Sequence, residues 1–493
     1  MPTMRTANPH LPPTAGRVLA NFCWMSLCFS LNHGCVTSCL ALASAQLGPA
    51  LGGYSSAILY LFYTTTALLV APAIVRTLGP KGSLDYGLLL YCVYVGSYAL
   101  AILLPAYRWP AVVVGAALGG LAAGWLWTAQ GGYFAAAAEL YAHVLQLETE
   151  VTTSFLSGIF ATLYLGFELG LKLVSSFVLS RARDASGSES ARDDASRAAS
   201  LQLFAIYTAV AVLSAIGMFF VAKMPPHPRD GACGAAADSP PAADEREDGC
   251  SPAPATRADD GAAPPSSKLL LAVNLMRTDA KIWLLAPINA SFGFMASLMN
   301  FYVNGVLVNT TLGPAAIGLL TSLISGVATV ASLPLSWLGA RAGKSVVILL
   351  GASAFLLEAL VLLVCTRAQL GRWSVLVPLY TAHGLGRAVW EGPNRALIAD
   401  MFSTNREGAF ASTIMQNGIA STIGYFAFPS MSPAAMAAVC VASLALSIAG
   451  YLAAAAQHAR ERATARLASL EEPFLPGPSR EPSGTGERAQ SER

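Results

Sequence analysis

Charged side chains occur inside long apolar stretches of this sequence, in pairs spaced four residues apart. Glu168 and Lys172 form one pair, and Arg387 and Glu391 form a second pair in the reverse order. Four residues are about one turn of an α-helix, so each pair can meet on one helix face. Because an ionised group at the bilayer centre costs about 2.5–3.5 kcal/mol on insertion scales, such residues face the interior of a helix bundle and pair there.

These pairs fit two roles. The first is a substrate site, a proton-coupling site or a gate. The second is a neutral ion pair that holds helices together, or a side chain that reaches the membrane interface from a helix end. The second role is favoured for Glu168 and Lys172, since the lysine chain is long enough to reach the outer interface. For Arg387 and Glu391 both roles stay open.

Other polar residues lie in comparable apolar stretches. Glu358 has no charged neighbour in sequence, which fits either a protonated structural carboxyl or a proton-coupling group. Asn300 and Asn304 share one helix face in the seventh stretch, and Asn32 adjoins His33 in the first. These residues could form hydrogen bonds between helices, which contribute only about 0.6 kcal/mol each, or they could line a polar cavity. The cavity is favoured, because the first and seventh stretches occupy matching positions in the two halves.

Twelve apolar stretches carry these residues. The 493-residue chain is 54% hydrophobic and 12% charged, whereas a soluble domain is about 25% charged. A helix of about 20 mostly apolar residues spans a bilayer. The stretches of this kind are residues 18–43, 54–75, 84–105, 109–133, 151–179, 201–222, 283–308, 313–338, 345–366, 373–393, 408–428 and 433–455. Because the stretches are continuous rather than alternating, the sequence predicts an all-α membrane protein with twelve transmembrane helices in two pseudo-symmetric six-helix bundles.

The apolar stretches and the segments between them divide the chain into four parts. Residues 1–222 form the predicted N-terminal bundle, and residues 283–456 form the C-terminal bundle. The central loop, residues 223–282, is rich in Pro, Ala, Asp and Glu. This composition predicts disorder, because few large apolar residues are available to offset chain entropy. Basic residues are more numerous in the segments on the side of the amino terminus, which include this loop and the polar tail, residues 457–493, whereas the first, seventh and eleventh turns contain none. Long segments count less in the positive-inside rule, so mainly these three turns place the amino terminus, the loop and the tail in the cytoplasm.

The two halves share a short basic turn that contains glycine. Residues 76–83 follow the second stretch and residues 339–345 follow the eighth, at the same place in each half. This duplication is typical of secondary carriers, whose substrate site lies between the halves near the bilayer midplane. The second turn ends in Gly343-Lys344-Ser345 and is similar to a phosphate-binding loop. It has one residue too few between its glycines and no strand before it, so it predicts no nucleotide site.

The fourth stretch contains aromatic and amide side chains close to several glycines. Trp127, Gln130, Gly131 and Tyr133 follow a Trp-x-x-Gln-Gly-x-Tyr pattern. The aromatic residues fit either a belt at the membrane interface or the lining of a cavity.

This pattern resembles the signature of the UNC-ninety-three-like branch of the major facilitator superfamily. The turn from Leu78 to Lys81 and the stretch from Gly384 to Glu391 also fit, although this branch often has an acidic residue where Arg387 stands. The resemblance implies two bundles that rock around a central cavity lined by the first, fourth, seventh and tenth helices. The candidate cavity-lining residues are Asn32, His33, Trp127, Gln130, Tyr133, Asn300, Asn304, Arg387 and Glu391. Glu168, Lys172 and Glu358 are candidates for proton coupling or structural ion pairs.

Two functions agree with these features. The polar cavity favours a secondary transporter of a small molecule or ion. The resemblance favours a non-transporting regulator or trafficking escort of another membrane protein, such as an ion channel or receptor. No nucleophile–base or metal-binding constellation is present in the sequence, so we expect no enzyme activity and no cofactor. We expect membrane lipid as a partner, no nucleic acid, and an integral multi-pass location that the sequence does not assign to the plasma membrane or an endomembrane.

Overall fold

The computed structural model describes residues 14–183, 189–224 and 267–471, and every regular element in these segments is helical. Nine helices in these segments are long and apolar enough to cross a membrane. The prediction of an all-α membrane protein is confirmed. The long helices are numbered α1 to α12 below, and the short connecting helices are left unnumbered. The prediction of twelve crossings is compatible with these helices and stays a prediction.

The N-terminal half contains six long helices. They are α1 (Ala15–Leu47), α2 (Pro49–Leu69), α3 (Ala71–Leu103), α4 (Arg108–Leu145), α5 (Thr149–Arg183) and α6 (Glu189–Phe219). Helix α3 is broken at Gly79, whose φ of 70° and ψ of 164° are not helical. The chain therefore turns within the predicted basic turn, residues 76–83.

The C-terminal half contains the other six. They are α7 (Lys281–Thr311), α8 (Pro314–Ala342), α9 (Lys344–Val364), α10 (Trp373–Val389, continued by Trp390–Asn394 and Arg395–Met401), α11 (Arg406–Ala427) and α12 (Pro433–Glu471). Two segments are wound as π-helix, Leu298–Val308 in α7 and Trp390–Asn394 in α10. Such segments occur frequently at functional sites, and these two contain Asn300, Asn304 and Glu391.

The predicted central loop, residues 223–282, is partly helical. Residues 225–266 lie outside the described residues, but Ser267–Thr278 forms a short helix. Ala272 of this helix is buried in a cluster with Leu68 of α2 and Ala411 of α11. The prediction of disorder therefore extended too far, because the apolar residues after Ser267 find a surface that both halves provide.

Four glycines repeat the architecture of one half in the other. Gly48 and Gly313 each lie in a Leu-Gly-Pro-Ala sequence between the first two helices of a half, with φ of 86° and 88°. Gly79 and Gly343 lie in the next turn of each half, with φ of 70° and 90°. A side chain is strained at such φ values, so glycine fits these turns. The sequence analysis predicted the second pair of turns and missed the first.

The two ends of the helix bundle differ in how they are built. We call the end with the turns at Gly79 and Gly343 the basic end, because the predicted basic turns lie there. Toward the opposite end, glycines allow helices of the two halves to approach closely. A methyl group at Gly318 of α8 would lie 2.5 Å from the carbonyl oxygen of Lys172 on α5, and one at Gly305 of α7 would collide with Ser44 of α1.

Candidate functional site

Four charged side chains from both halves meet between the bundles. Arg387 of α10 donates from Nη1 to Glu168 Oε1 at 2.7 Å and from Nη2 to Glu168 Oε2 at 2.9 Å, which is a two-bond fork. Lys172 Nζ also lies 2.6 Å from Glu168 Oε1. Arg387 Nε donates to Glu391 Oε1 at 2.9 Å. The two pairs that the sequence placed on separate helices therefore form one group, which we call the ion cluster.

A serine from a third helix completes the ion cluster. Ser325 of α8 donates to Glu168 Oε1 at 3.0 Å and accepts from Lys172 Nζ at 3.1 Å. The cluster thus joins α5 of one half to α8 and α10 of the other. The sequence analysis missed Ser325, because a serine in an apolar stretch carries no signal that distinguishes it from packing residues.

The ion cluster is neutral and becomes more exposed along α10. Its two carboxylates balance its two cations. The exposed fraction of the side chain is 2% for Glu168, 7% for Lys172, 13% for Arg387 and 35% for Glu391. Because α10 runs toward the basic end, the increase indicates that water reaches the cluster from that end. Charge balance matters here, since a buried ion that loses its partner costs about 3–5 kcal/mol.

Aromatic rings enclose His33 next to the ion cluster. Ring centroids of Phe29, Tyr91, Trp127 and Tyr164 lie 5.9, 5.8, 5.2 and 5.4 Å from that of His33. Tyr164 precedes Glu168 of the ion cluster by one turn of α5. His33 Nδ1 is buried and has no hydrogen-bond partner in the described part of the chain. The structure therefore brings two predicted cavity residues, His33 and Trp127, to a mainly apolar surface with one unpaired polar atom.

Amide and phenol groups form a chain in the C-terminal half. Asn304 Nδ2 donates to Asn300 Oδ1 at 3.2 Å, and Asn300 Nδ2 donates to the Tyr425 hydroxyl at 3.0 Å. The Tyr380 hydroxyl donates to Asn304 Oδ1. The ring of Tyr60, from α2 of the other half, stacks on Tyr425 with centroids 5.5 Å apart. This second contact between the halves includes both predicted asparagines and three tyrosines that the sequence did not single out.

Glu358 has a partner on another helix. Its carboxylate oxygens lie 3.0 and 3.2 Å from Nδ1 of His383. Glu358 belongs to α9 and His383 to α10, so this pair lies within the C-terminal half. His383 precedes Arg387 by one turn. The sequence analysis missed the pair because the two residues are 25 positions apart.

Three predicted cavity residues take up other positions. Asn32 Nδ2 donates to the Ala211 carbonyl of α6 at 2.9 Å, which is a contact inside the N-terminal half. The Tyr133 hydroxyl donates to the Ala222 carbonyl at 2.8 Å, just after the end of α6. Gln130 is buried on α4, three residues after Trp127. None of these three forms a hydrogen bond with the ion cluster in the described part of the chain.

The described part of the chain contains no cluster of side chains that could together bind a metal ion. No group of three or more His, Cys, Asp or Glu side chains there is arranged to hold a metal ion.

Solved transporters share this architecture. A structure of the nucleoside transporter NupG is similar with a TM-score of 0.58, 12% identity, and coverage of 89% of this chain and 98% of that one. The D-xylose–proton symporter matches with a TM-score of 0.59 and 14% identity, over 88% of this chain and 95% of that one. The E. coli fucose:proton symporter FucP matches with a TM-score of 0.52 and 13% identity, over 90% of this chain and 99% of that one. At these identities the similarity shows the fold, which is that of the major facilitator superfamily.

The sequence comparison identifies the family. No curated protein sequence matches the chain significantly. The family described as ion channel regulatory protein UNC-93 matches residues 44–453, which is most of the chain. The resemblance drawn from the Trp127 to Tyr133 pattern is therefore confirmed. With its apolar helices and this fold, the chain is an integral, multi-pass membrane protein that belongs to the UNC-93 family.

Proposed function

We propose that this protein is a secondary carrier that moves a small polar solute through a cavity between its halves. The supporting observation is the fork of Arg387 on Glu168, because it joins the two halves at a point that becomes more exposed toward the basic end. In a carrier with two repeats, one half rocks against the other around a central site. A contact that joins the halves must therefore open and close during each cycle.

A neutral cluster of this kind can be opened by a proton or by a charged group of the solute. A proton on Glu168, or a solute carboxylate or phosphate that replaces Glu168 on Arg387, would remove the attraction between the halves. A buried charge without a partner is costly. The solute therefore binds best in the conformation in which its charged group pairs with Arg387. Binding is thereby coupled to the orientation of the halves, with no chemical conversion of the solute.

The aromatic surface around His33 supports a binding site for an organic solute. Small-molecule sites are mostly apolar and contain a few polar groups that fix orientation. The rings of Trp127 and Tyr164 pack against His33, and His33 Nδ1 is an unpaired polar atom among the described residues. A solute with an apolar face and one charged or polar end matches this combination.

Uptake into proteoliposomes tests the proposal. Purified protein is reconstituted and supplied separately with radiolabelled uridine, D-xylose, L-fucose and a dipeptide. We expect uptake of at least one solute above that of empty liposomes, and a rate more than about tenfold lower for Arg387→Ala because the charged fork is lost. Arg406→Ala, which removes an exposed arginine at the start of α11, is the matched control. Equal uptake of every solute by wild type, Arg387→Ala and empty liposomes would contradict transport.

The family supports a second candidate function. Because the family is described as ion channel regulatory protein UNC-93, we also consider a non-transporting regulator or escort of an ion channel. In that case, the ion cluster holds the halves in the one conformation that the partner recognises. A stoichiometric channel subunit that co-purifies with wild type, is lost with Arg387→Ala, and is accompanied by no uptake would favour this function over the carrier.

A further inference from the structure

A polar cavity lies at the basic end of the C-terminal half, apart from the ion cluster. Its volume is about 670 Å³, and it lies between the start of α9, the end of α10 and the final turns of α12. Its polar lining residues are Lys344, Ser345, Asp400, Tyr451, His458 and Arg462. Nothing in the proposed transport cycle uses these side chains.

The charge in this cavity is predominantly positive. Lys344 Nζ pairs with Asp400 Oδ2, which neutralises one cation. Arg462 has no ion-pair partner among residues 14–183, 189–224 and 267–471. His458 Nδ1 is buried and, within the same ranges, has no hydrogen-bond partner. One permanent cation and one unpaired ring nitrogen are therefore available to an anionic ligand.

The start of α9 adds hydrogen-bond donors to the cavity. The helix begins at Lys344, and its N-cap, Gly343, has no side chain to cap the first amides. These amides and the helix dipole favour a negative ligand. Tyr451 donates to Ser345 Oγ at 2.7 Å, which leaves the serine hydroxyl hydrogen available for a ligand. The turn that fails as a nucleotide motif thus still presents a lysine, a serine and a helix N-terminus together, as phosphate sites do.

The rest of the cavity wall is apolar. Its apolar lining residues are Leu397, Met401, Ala455, Ala459, Ala463 and Leu467. Nearby, the guanidinium of Arg341 stacks 4.3 Å from the ring of Trp337 at the end of α8. Tryptophan and arginine are typical of the level at which hydrocarbon meets lipid headgroups. A molecule that matches both parts of the wall has a phosphorylated head and an apolar tail.

We propose that this cavity binds the phosphorylated headgroup of an anionic membrane lipid from the leaflet at the basic end. The phosphate lies against the first turn of α9 and Arg462, and the acyl chains follow the apolar wall. Asp400 competes with the phosphate for Lys344. Clusters of basic groups at the membrane surface attract anionic headgroups in this way.

Native mass spectrometry of the full-length protein in detergent tests the proposal. Phosphatidylinositol 4-phosphate, phosphatidylcholine and free inositol 1,4-bisphosphate are titrated separately. We expect the phosphoinositide to bind with one lipid per protein, about tenfold more weakly to Arg462→Ala and several-fold more tightly to Asp400→Asn. Arg460→Ala is the matched control, since Arg460 is exposed on the same helix and does not line the cavity.

The opposite effects of the two cavity variants distinguish a binding site from a folding defect, because loss of structure does not tighten binding. Unchanged phosphoinositide affinity in both cavity variants would overturn the proposal. Equal affinity for phosphatidylcholine would also overturn it, and so would free inositol bisphosphate that binds as tightly as the lipid. None of these results depends on whether the protein carries a solute.

Discussion

Two groups of buried polar residues in this protein differ in what they connect. The ion cluster joins α5 to α8 and α10, and so joins one half to the other. Glu358 and His383 join α9 to α10 within the C-terminal half. Both groups contain a deeply buried glutamate, and its partners Arg387 and His383 lie one turn apart on α10.

A contact between the halves and a contact within one half have different roles in a transport cycle. If the halves move as units, a contact inside one half keeps its geometry throughout the cycle, whereas a contact between halves does not. The Glu358–His383 pair then contributes to the stability of the C-terminal half. The ion cluster contributes to the balance between conformations. Variants that separate stability from transport can sharpen or break this comparison.

Removal of the central carboxylate has the largest expected effect. Glu168→Ala leaves the buried Lys172 without a carboxylate partner and leaves Arg387 with Glu391 alone, so we expect thermal stability in detergent to fall by the equivalent of about 3–5 kcal/mol. Uptake falls with it. Adding Lys172→Ala should recover part of the stability but not the uptake, because it removes the cation that has lost its partner while the fork of Arg387 on Glu168 stays absent.

Glu139→Ala is the control for that series. Glu139 is exposed on α4, and surface changes of this kind alter stability by about 0.5 kcal/mol or less. If Glu168→Ala were as stable as this control, the ion cluster would not be a buried, mutually compensated group.

A change at a glycine tests the interface without touching charge. Gly305→Ala places a methyl group against Ser44 where the halves meet toward the opposite end. Overpacking costs about 1–3 kcal/mol, and here the cost can be relieved if the halves separate at that end. We expect altered protease accessibility of the turns and slower uptake.

The matched variant for this change is Gly170→Ala. A methyl group there meets nothing within 4 Å, and alanine favours a helix over glycine by about 1 kcal/mol. Gly170→Ala should therefore retain uptake with equal or higher stability. Identical protease patterns for the two glycine variants would argue against a moving interface at Gly305.

A conservative change in the internal pair should separate stability from transport. Glu358→Gln keeps a side chain that can hydrogen bond to His383 but removes the ionisable carboxyl group, so we expect a stability loss of about 1 kcal/mol. Uptake and its pH dependence stay as in wild type if the pair is structural. Loss of the pH dependence alone would instead assign Glu358 to proton coupling, which the sequence left open, and would break the comparison.

The sequence predicted the fold better than it predicted the site. Continuous apolar stretches are sufficient to locate transmembrane helices, since the bilayer fixes their length. The spacing of four residues also predicted the contacts within α5 and within α10. The fork between Arg387 and Glu168 could not be predicted, because its partners are 219 positions apart and only the packing of the halves brings them together.

Polar residues on one helix gave a similar result. Asn300 and Asn304 share a face of α7, as the spacing predicted, but their hydrogen bonds to Tyr425 and Tyr380 depend on α11 and α10. Asn32 and His33 are neighbours in sequence yet point to different surroundings, since α1 turns about 100° per residue. One bonds the backbone of α6 and the other lies among aromatic rings. A single sequence indicates the face of a helix but not the element that the face meets.

The smallest expected effect is at the exposed rim of the ion cluster. Glu391→Gln removes the negative charge beside Arg387 Nε, keeps an amide oxygen that can accept from it, and leaves the fork to Glu168 intact. Because the Glu391 side chain is 35% exposed, water compensates for much of the lost attraction, and the expected stability loss is about 0.5–1 kcal/mol.

The same exposure makes Glu391 the first charged group of the cluster that a solute meets from the basic end. We therefore expect a higher apparent KM with little change in the maximal uptake rate, measured in the same proteoliposomes. A fall in the maximal rate as large as that of Arg387→Ala would show that rim and centre act as one unit, and that exposure does not divide the cluster into two parts.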